Sequence, residues 1–276
     1  MYIALALTII TNPTEGLFDK SYRTLKAIVN DHESEAVKGV VIATLAISCF
    51  YVGSQMEVRA MMSYFLDIIS SDGELVGAGN STEVVTAALR GWGLLCTVYT
   101  GEPQDVNEDA IDIFIDQLDS ASVDVQIAAG ENVALLYEMS YSEADENMEE
   151  EQIEFWRTRG KVLEYDDQTF IQKYQPYGRE NDLLNTISKL TSGSKRHLNK
   201  KDRRTQHAAF QAVLKGIEHP LVRDGRPHQK LVVRKDSQIA VDEWWKLVRI
   251  HGLKGMLRGG WQTHLQHNES FVRKLG

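Results

Sequence analysis

Three segments of this chain carry the same helical face at nearly the same spacing, and that repetition limits the fold more than any other feature. Aligned at Ser34, Thr82 and Ser122, the stretches "SEAVKGVVIATLAISC", "TEVVTAALRGWGLLCT" and "SVDVQIAAGENVALLY" each open with a hydroxyl residue, followed three positions on by Val37, Val85 or Val125. Small apolar residues stand six positions on (Val40, Ala88, Ala128) and larger ones thirteen positions on (Ile47, Leu95, Leu135). Such spacings trace one face of a helix, and a Ser or Thr at its start can accept one of the N–H groups that a helix leaves unpaired. The starts lie 48 and 40 residues apart, near the period of armadillo and HEAT repeats, whose units of two or three helices bury their faces only by stacking.

Partner helices are expected between the repeats, at 55–70 ("QMEVRAMMSYFLDIIS") and 108–120 ("EDAIDIFIDQLDS"). Gly39, Ala43, Ala87, Gly91, Ala128 and Gly130 suit close helix stacking, because a helical Gly costs about 1 kcal/mol relative to Ala unless packing requires it. Only 5 prolines and an apolar content of 43% agree with an all-α protein having a sizeable core. The predicted fold is an armadillo/HEAT-like α-solenoid over 1–141, an acidic linker with further helices continuing the solenoid over 142–194, and a small basic helical C-terminal domain over 195–276. The opening "MYIALALTII" lacks a basic leader and a cleavage site, so it is expected to be a helix of the fold. The longest apolar run, 39–53, is shorter than a membrane span requires, and no transmembrane segment is expected.

Charge divides the chain. Residues 195–276 hold 18 Lys and Arg against 7 Asp and Glu, a net of +11, and the rest holds 12 against 32, a net of -20. Seven of the 8 histidines lie in the basic part. The acidic run around "SYSEADENMEEEQIEFW" reads as a solvated loop leading into a helix, or as an electrostatic screen or docking tail. Helices are expected in "IEFWRTRGKVL" and "ENDLLNTISKLT", with a turn at "YQPYGREN".

No catalytic constellation is present: neither a nucleophile elbow nor a Walker A loop, neither H-E-x-x-H nor a dinucleotide fingerprint. The glycine-rich "LVGAGNST" at 75–82 reads as a loop rather than a phosphate cradle, and His264 with His267 lacks a third metal ligand. Cys49 and Cys96 sit in apolar helical patterns and read as buried small hydrophobes. An enzyme, a cofactor, a metal, a small-molecule substrate and a membrane are therefore not expected.

A nucleic-acid interface is. Lys195, Arg196, Lys200, Lys201, Arg203 and Arg204 precede "TQHAAFQAVLKGIE", whose Phe210, Val213, Leu214 and Ile217 form an apolar stripe that would fix the helix to the body while the cations face phosphates. In the next helix Asp242 is the expected cap, with Trp244, Leu247, Val248 and His251 inward, and Lys246, Arg249, Lys254 and Arg258 mostly outward. Gly259-Gly260 then breaks it, and a last helix, 261–275, offers His264, His267, Arg273 and Lys274 to phosphates. Trp244 and Trp245 read as core; Trp261 reads equally as core or as a base-stacking platform.

The C-terminal part resembles the interferon-related developmental regulator family. The resemblance rests on Lys200, Lys201, Asp202, Arg203, then Gln206, Phe210, Val213 and Leu214, then Asp242 with Trp244, then His264, Leu265, Gln266, Asn268 and Glu269. It implies a helical-repeat region longer than this stretch holds and a protein that acts by binding. The partners so implied are the ribosome, through ribosomal RNA and proteins, with tRNA positions filled and the C-terminal helix in the mRNA channel, or transcription factors and deacetylase complexes. Cytoplasmic residence follows, with nuclear residence as well for the second set of partners. The basic domain favours ribosome binding and translational repression over a transcriptional co-regulator scaffold.

Overall fold

The computed structural model describes residues 2–13, 16–145, 148–192, 200–234 and 237–275. Its first half is α1 (Tyr2–Thr11), α2 (Leu17–Asp31), α3 (Glu35–Val52), α4 (Gln55–Ser70), α5 (Thr82–Cys96), α6 (Pro103–Gln117) and α7 (Val123–Met139). α2 packs on α3, α4 on α5 and α6 on α7, while α3, α5 and α7 stack side by side as the inner row of a solenoid. The three helices that repeat in the sequence are thus equivalent in space.

Their starts are set by side-chain caps. Ser34 accepts from Val37 N and Ser122 from Val125 N, as expected, but the middle helix is capped by Ser81, which accepts from Val84 N, and not by Thr82. Pro103 begins α6 at its first turn, where a missing N–H costs nothing, so that helix starts earlier than the expected 108. The small residues are packing sites. A Cβ at Gly91 would lie 2.8 Å from the Phe65 ring, at Gly130 3.0 Å from Phe210, and at Gly39 3.1 Å from Glu83 O. Ile47, Leu95 and Leu135 are buried, and Trp92 meets Phe114 edge-on at 4.7 Å. By length and apolarity α3 passes as a membrane span, yet 61% of it is buried here, against α1, α2 and α5.

The glycine-rich loop is closed from within. Gly73 and Gly77 take positive φ, and the buried Lys38 ammonium donates to the carbonyls of Asn30 and Val76. Its floor is thus a carbonyl bound to a cation, the reverse of a phosphate cradle.

Beyond α7 the chain does more than continue the solenoid. β1 (Tyr141–Glu143), α8 (Glu150–Arg157), β2 (Val162–Tyr165) and β3 (Gln168–Gln172) come first, the strands forming an antiparallel sheet of order β1-β3-β2. The helix expected to run through "GKVL" stops at Arg157 because Gly160 takes positive φ and Lys161 N–H bonds back to Trp156 O at 3.0 Å, and Asp166 and Asp167, both with positive φ, then make a tight hairpin turn between β2 and β3. α9 (Glu180–Thr191) and α10 (Lys200–Glu218) then form another antiparallel pair, and α10 packs on α7, extending the inner row.

The remainder folds back. β4 (Gln229–Arg234) and β5 (Ser237–Val241) make a hairpin, and α11 (Trp244–Leu257) crosses α3, α5 and α7. The last stretch is not the single helix expected over 261–275. A 3-10 turn over Arg258–Gly260 leads into α12 (Trp261–His267), and α13 (Glu269–Leu275) follows after Asn268. Neither Gly259 nor Gly260 has positive φ, so no glycine-specific break occurs there. Leu265, Phe271 and Leu275 are fully buried, and Asn268 Nδ2 donates to Ile10 O of α1 at 3.2 Å.

Replacing Leu95 or Leu135 by Ala is expected to lower stability by about 2–5 kcal/mol, since each leaves a cavity between stacked helices that the row cannot collapse to fill. Urea unfolding of the two variants checks this, and losses below about 1 kcal/mol at both sites would contradict the stacking.

Candidate nucleic-acid interface

α10 is amphipathic. Gln206, Phe210, Val213, Gly216 and Ile217 are buried against α7 and α9, and Gln206 Nε2 donates to Gln126 Oε1 at 2.6 Å. The first turns carry exposed Lys200, Lys201, Arg203 and Arg204, with Lys201 and Arg204 facing away from the buried stripe, and Lys215 follows near the C-terminal end. His207 Nδ1–H donates to Thr191 O at 2.7 Å, which ties α10 to the end of α9. The cations occupy the first turns of the helix, where the macrodipole is positive and like charge is disfavoured by about 0.3–1 kcal/mol per group. An anion placed there relieves both the dipole and the mutual repulsion. Lys195 and Arg196 lie outside the described residues, as does the side chain of Arg258.

The other expected cations separate into two classes. Lys246 is held by Asp242 and Glu243, each at 2.8 Å. Burial works against its charge, but the two carboxylates outweigh it and keep its pKa above the ordinary lysine value. Arg249 points inward, not outward. It donates to Thr97 Oγ1 at 2.8 Å, Thr97 O at 2.7 Å and Lys274 O at 3.0 Å, and stacks over Trp245, while burial lowers its pKa to about 10. Lys274 covers the rings of Phe50 and Tyr51, and burial, then the Arg249 charge, lowers its pKa. These three cations are engaged in packing. Lys254, His267 and Arg273 are exposed, on α11, α12 and α13 respectively.

Trp261 is buried, edge-on to Phe271 at 5.4 Å, so its ring is core and not a platform for a base. His264 is half-buried beside Phe271 with its pKa lowered by burial. Among the described residues no group of three His, Cys, Asp or Glu could hold a metal ion. Burial pushes the thiols of Cys49 and Cys96 up to about 12, which leaves them unreactive.

α11 is fixed from below. Its first N–H groups, from Trp244 and Trp245, donate to Glu138 of α7 at 2.8 and 3.2 Å, so the cap comes from Glu138 and not from Asp242. Trp244 Nε1 donates to Gly225 O at 3.1 Å, and a Cβ on Gly216 would meet that nitrogen at 2.6 Å. His251 pairs with Glu131 at 2.9 Å. Burial raises the Glu138 carboxyl to about 7, against the lowering effect of the two N–H groups.

Sequence reasoning missed the β4–β5 hairpin, although "QKLVVRKDSQIAV" alternates around a polar turn. Arg223, just ahead of it, and Lys230 on β4 are exposed, and the 3-10 turn Arg223–Gly225 packs on α10. Arg223 thus stands at the other end of α10, while Lys230 lies on the hairpin, which packs on α12.

Comparison with known proteins follows the inner row. A family model described as interferon-related developmental regulator matches residues 2–218, from α1 to the last residue of α10. An uncharacterised protein of Schizosaccharomyces pombe is 28% identical over 94% of this chain and 55% of its own length. Interferon-related developmental regulator 2 of Mus musculus is 24% identical over 92% of this chain and 52% of its own. The chain thus spans about half the length of these relatives.

A carboxyl whose folded pKa is raised above its unfolded value binds more protons when folded, so it favours the fold as pH falls. For Glu138 that gain develops between about pH 7 and about 4.5 and reaches on the order of 3 kcal/mol. Unfolding free energies measured at pH 8, 6.5 and 5 should therefore show a component that Glu138→Gln removes; equal pH slopes in the two proteins would refute the assignment.

Proposed function

The chain belongs to the interferon-related developmental regulator family, and from that premise we propose that it is a non-catalytic, RNA-binding regulator that represses translation by occupying tRNA and mRNA-channel positions on the ribosome. The observation that carries the reading is the exposed Lys200, Lys201, Arg203 and Arg204 cluster, set on a helix whose opposite face is locked into the solenoid. A rigid base with cations at a helix start matches a phosphate backbone of fixed geometry, and ribosomal RNA is such a backbone. The acidic body, at a net of -20 outside residues 195–276, repels nucleic acid and so orients the basic side toward it.

In this reading α10 is the anchor, and Arg223 extends it. Lys254, His267 and Arg273 are the remaining exposed contacts of the C-terminal part, which would approach the mRNA channel. Ribosome binding places the protein in the cytoplasm. A nuclear scaffold for transcription factors or deacetylase complexes is the alternative, and it leaves the α10 cluster without a role.

Replacing Lys200, Lys201, Arg203 and Arg204 by Glu should abolish co-sedimentation with ribosomal particles while the helical circular dichroism and the unfolding midpoint stay near the parent values. For the parent, log K should fall linearly with log salt, by roughly 0.7–0.9 for each phosphate contacted. Undiminished sedimentation of the fourfold variant at moderate salt would reduce the cluster to a solvated face. If the parent itself stays off ribosomes and co-purifies with chromatin, the scaffold reading replaces this one.

A further inference from the structure

A groove of about 300 Å³ runs between α3 and α5, roofed on one side by α11. Its walls are unusually small: Gly39 and Ala43 from α3, Ala87 from α5, Gly252 and Gly255 from α11. The glycines Gly39 and Gly252 are explained by close helix packing, since a Cβ there would lie 3.1 Å from Glu83 O and 3.3 Å from Leu94 Cβ. A Cβ on Gly255, in contrast, would meet only Arg90 Nη1, at 3.7 Å. The groove therefore stays open where that arginine sits.

Among the described residues, two polar groups lining it have no hydrogen-bond partner. Thr86 is 8% exposed, and its Oγ1 has no hydrogen-bond partner. One turn further along α5, Arg90 Nε is likewise buried and without a partner, and among the described residues no carboxylate lies within ion-pair distance of the Arg90 guanidinium. Buried donors and hydroxyls left unpaired destabilise a fold, so one that retains two a helical turn apart gains when an acceptor arrives. Arginine with a neighbouring hydroxyl suits a carboxylate, which can take two parallel N–H bonds and one O–H bond. The same groove ends in acid: Glu83 lies seven residues before Arg90 on α5, about 10.5 Å along the axis, and Asp124 of α7 lines it too.

We propose that this groove docks one face of a helix from a partner protein, with an acidic side chain on Arg90 and Thr86 and a basic one two turns away on Glu83 and Asp124. The volume accepts the side chains of one helical face and not a whole helix, and the Gly and Ala walls let that helix approach closely. Charge complementarity sets its direction, because reversing the peptide would place acid on acid and base on arginine. The site is independent of the α10 cluster, which lies on another helix and calls for anions rather than for a pair of opposite charges.

The probe is a displayed library of helical 16-residue peptides selected on the full chain. Recovered sequences should carry Asp or Glu and Lys or Arg about seven positions apart, separated by small and aliphatic residues. Changing the peptide acid to its amide should weaken binding at least tenfold. R90Q should weaken the parent peptide as much, and the two changes together should add little. A87L, which fills the groove without touching charge, should abolish binding with the unfolding midpoint preserved. Should either variant unfold, E83K at an exposed position gives the second test: it should lose the parent peptide and regain one whose basic residue is changed to Glu. The proposal falls if no peptide is recovered, if recovered peptides lack the charge pair, or if binding ignores R90Q and E83K. It also falls if butyrate competes at the concentration of the peptide, which marks a small-carboxylate site, or if the chain self-associates through this face.

Discussion

The helices packed around α7 take their register from the polar side chains buried along it. Gln126 receives Gln206 of α10, Asn132 Nδ2 donates to Leu89 O of α5, Glu131 pairs with His251, and Glu138 accepts the first N–H groups of α11. Apolar packing alone does not set register, since helices with small-residue faces can slide past one another at little cost. A buried polar group permits one arrangement, because any shift leaves it unpaired at about 1–3 kcal/mol. Gly93 shows the constraint from the other side: a Cβ there would stand 2.3 Å from Asn132 Oδ1, so α5 carries glycine where α7 reaches across.

The repeats were legible because they depend on short-range rules. Hydroxyl caps, a valine three residues on and a small-large alternation are all local, and the helices begin within a residue of where those signs stand. The slip from Thr82 to Ser81 arises because two adjacent residues can each cap, and the choice falls to packing. The β2–β3 hairpin was hidden by a sequence with no Asn-Gly or Asp-Gly pair; Asp166-Asp167 makes the turn instead. Glu138 as the cap of α11 could not be read at all, since donor and acceptor lie more than a hundred residues apart.

The candidate interface was legible only as charge. Sequence placed cations on 195–258 and on the last helices, but could not tell those facing water from those holding the chain together. Arg249 and Lys274 look on paper like Lys254 and Arg273, yet the first two sit against Phe50 and lose basicity to burial. Their long apolar stems allow either fate, and the surrounding aromatic rings decide it. Trp261 illustrates the same point, for an aromatic beside two glycines fits a platform and a core equally until its neighbours are known.

That distinction bears on how the terminal helices act. Leu265, Phe271 and Leu275 are fully buried, and at about 1.5–3 kcal/mol each their exposure would cost somewhat more than 5 kcal/mol, before the loss of the Asn268 and Arg249 contacts. Thermal motion at that cost leaves α12 and α13 released in well under one molecule in a thousand. A ribosomal partner that draws them into a channel must therefore cover the same apolar side chains, since phosphate contacts from His267 and Arg273 alone would not offset their exposure. On the proposed reading, docking through α10 needs no such rearrangement. Binding first through α10, and only then exchanging the intramolecular seat of α13 for an intermolecular one, is the order that keeps apolar surface out of water throughout.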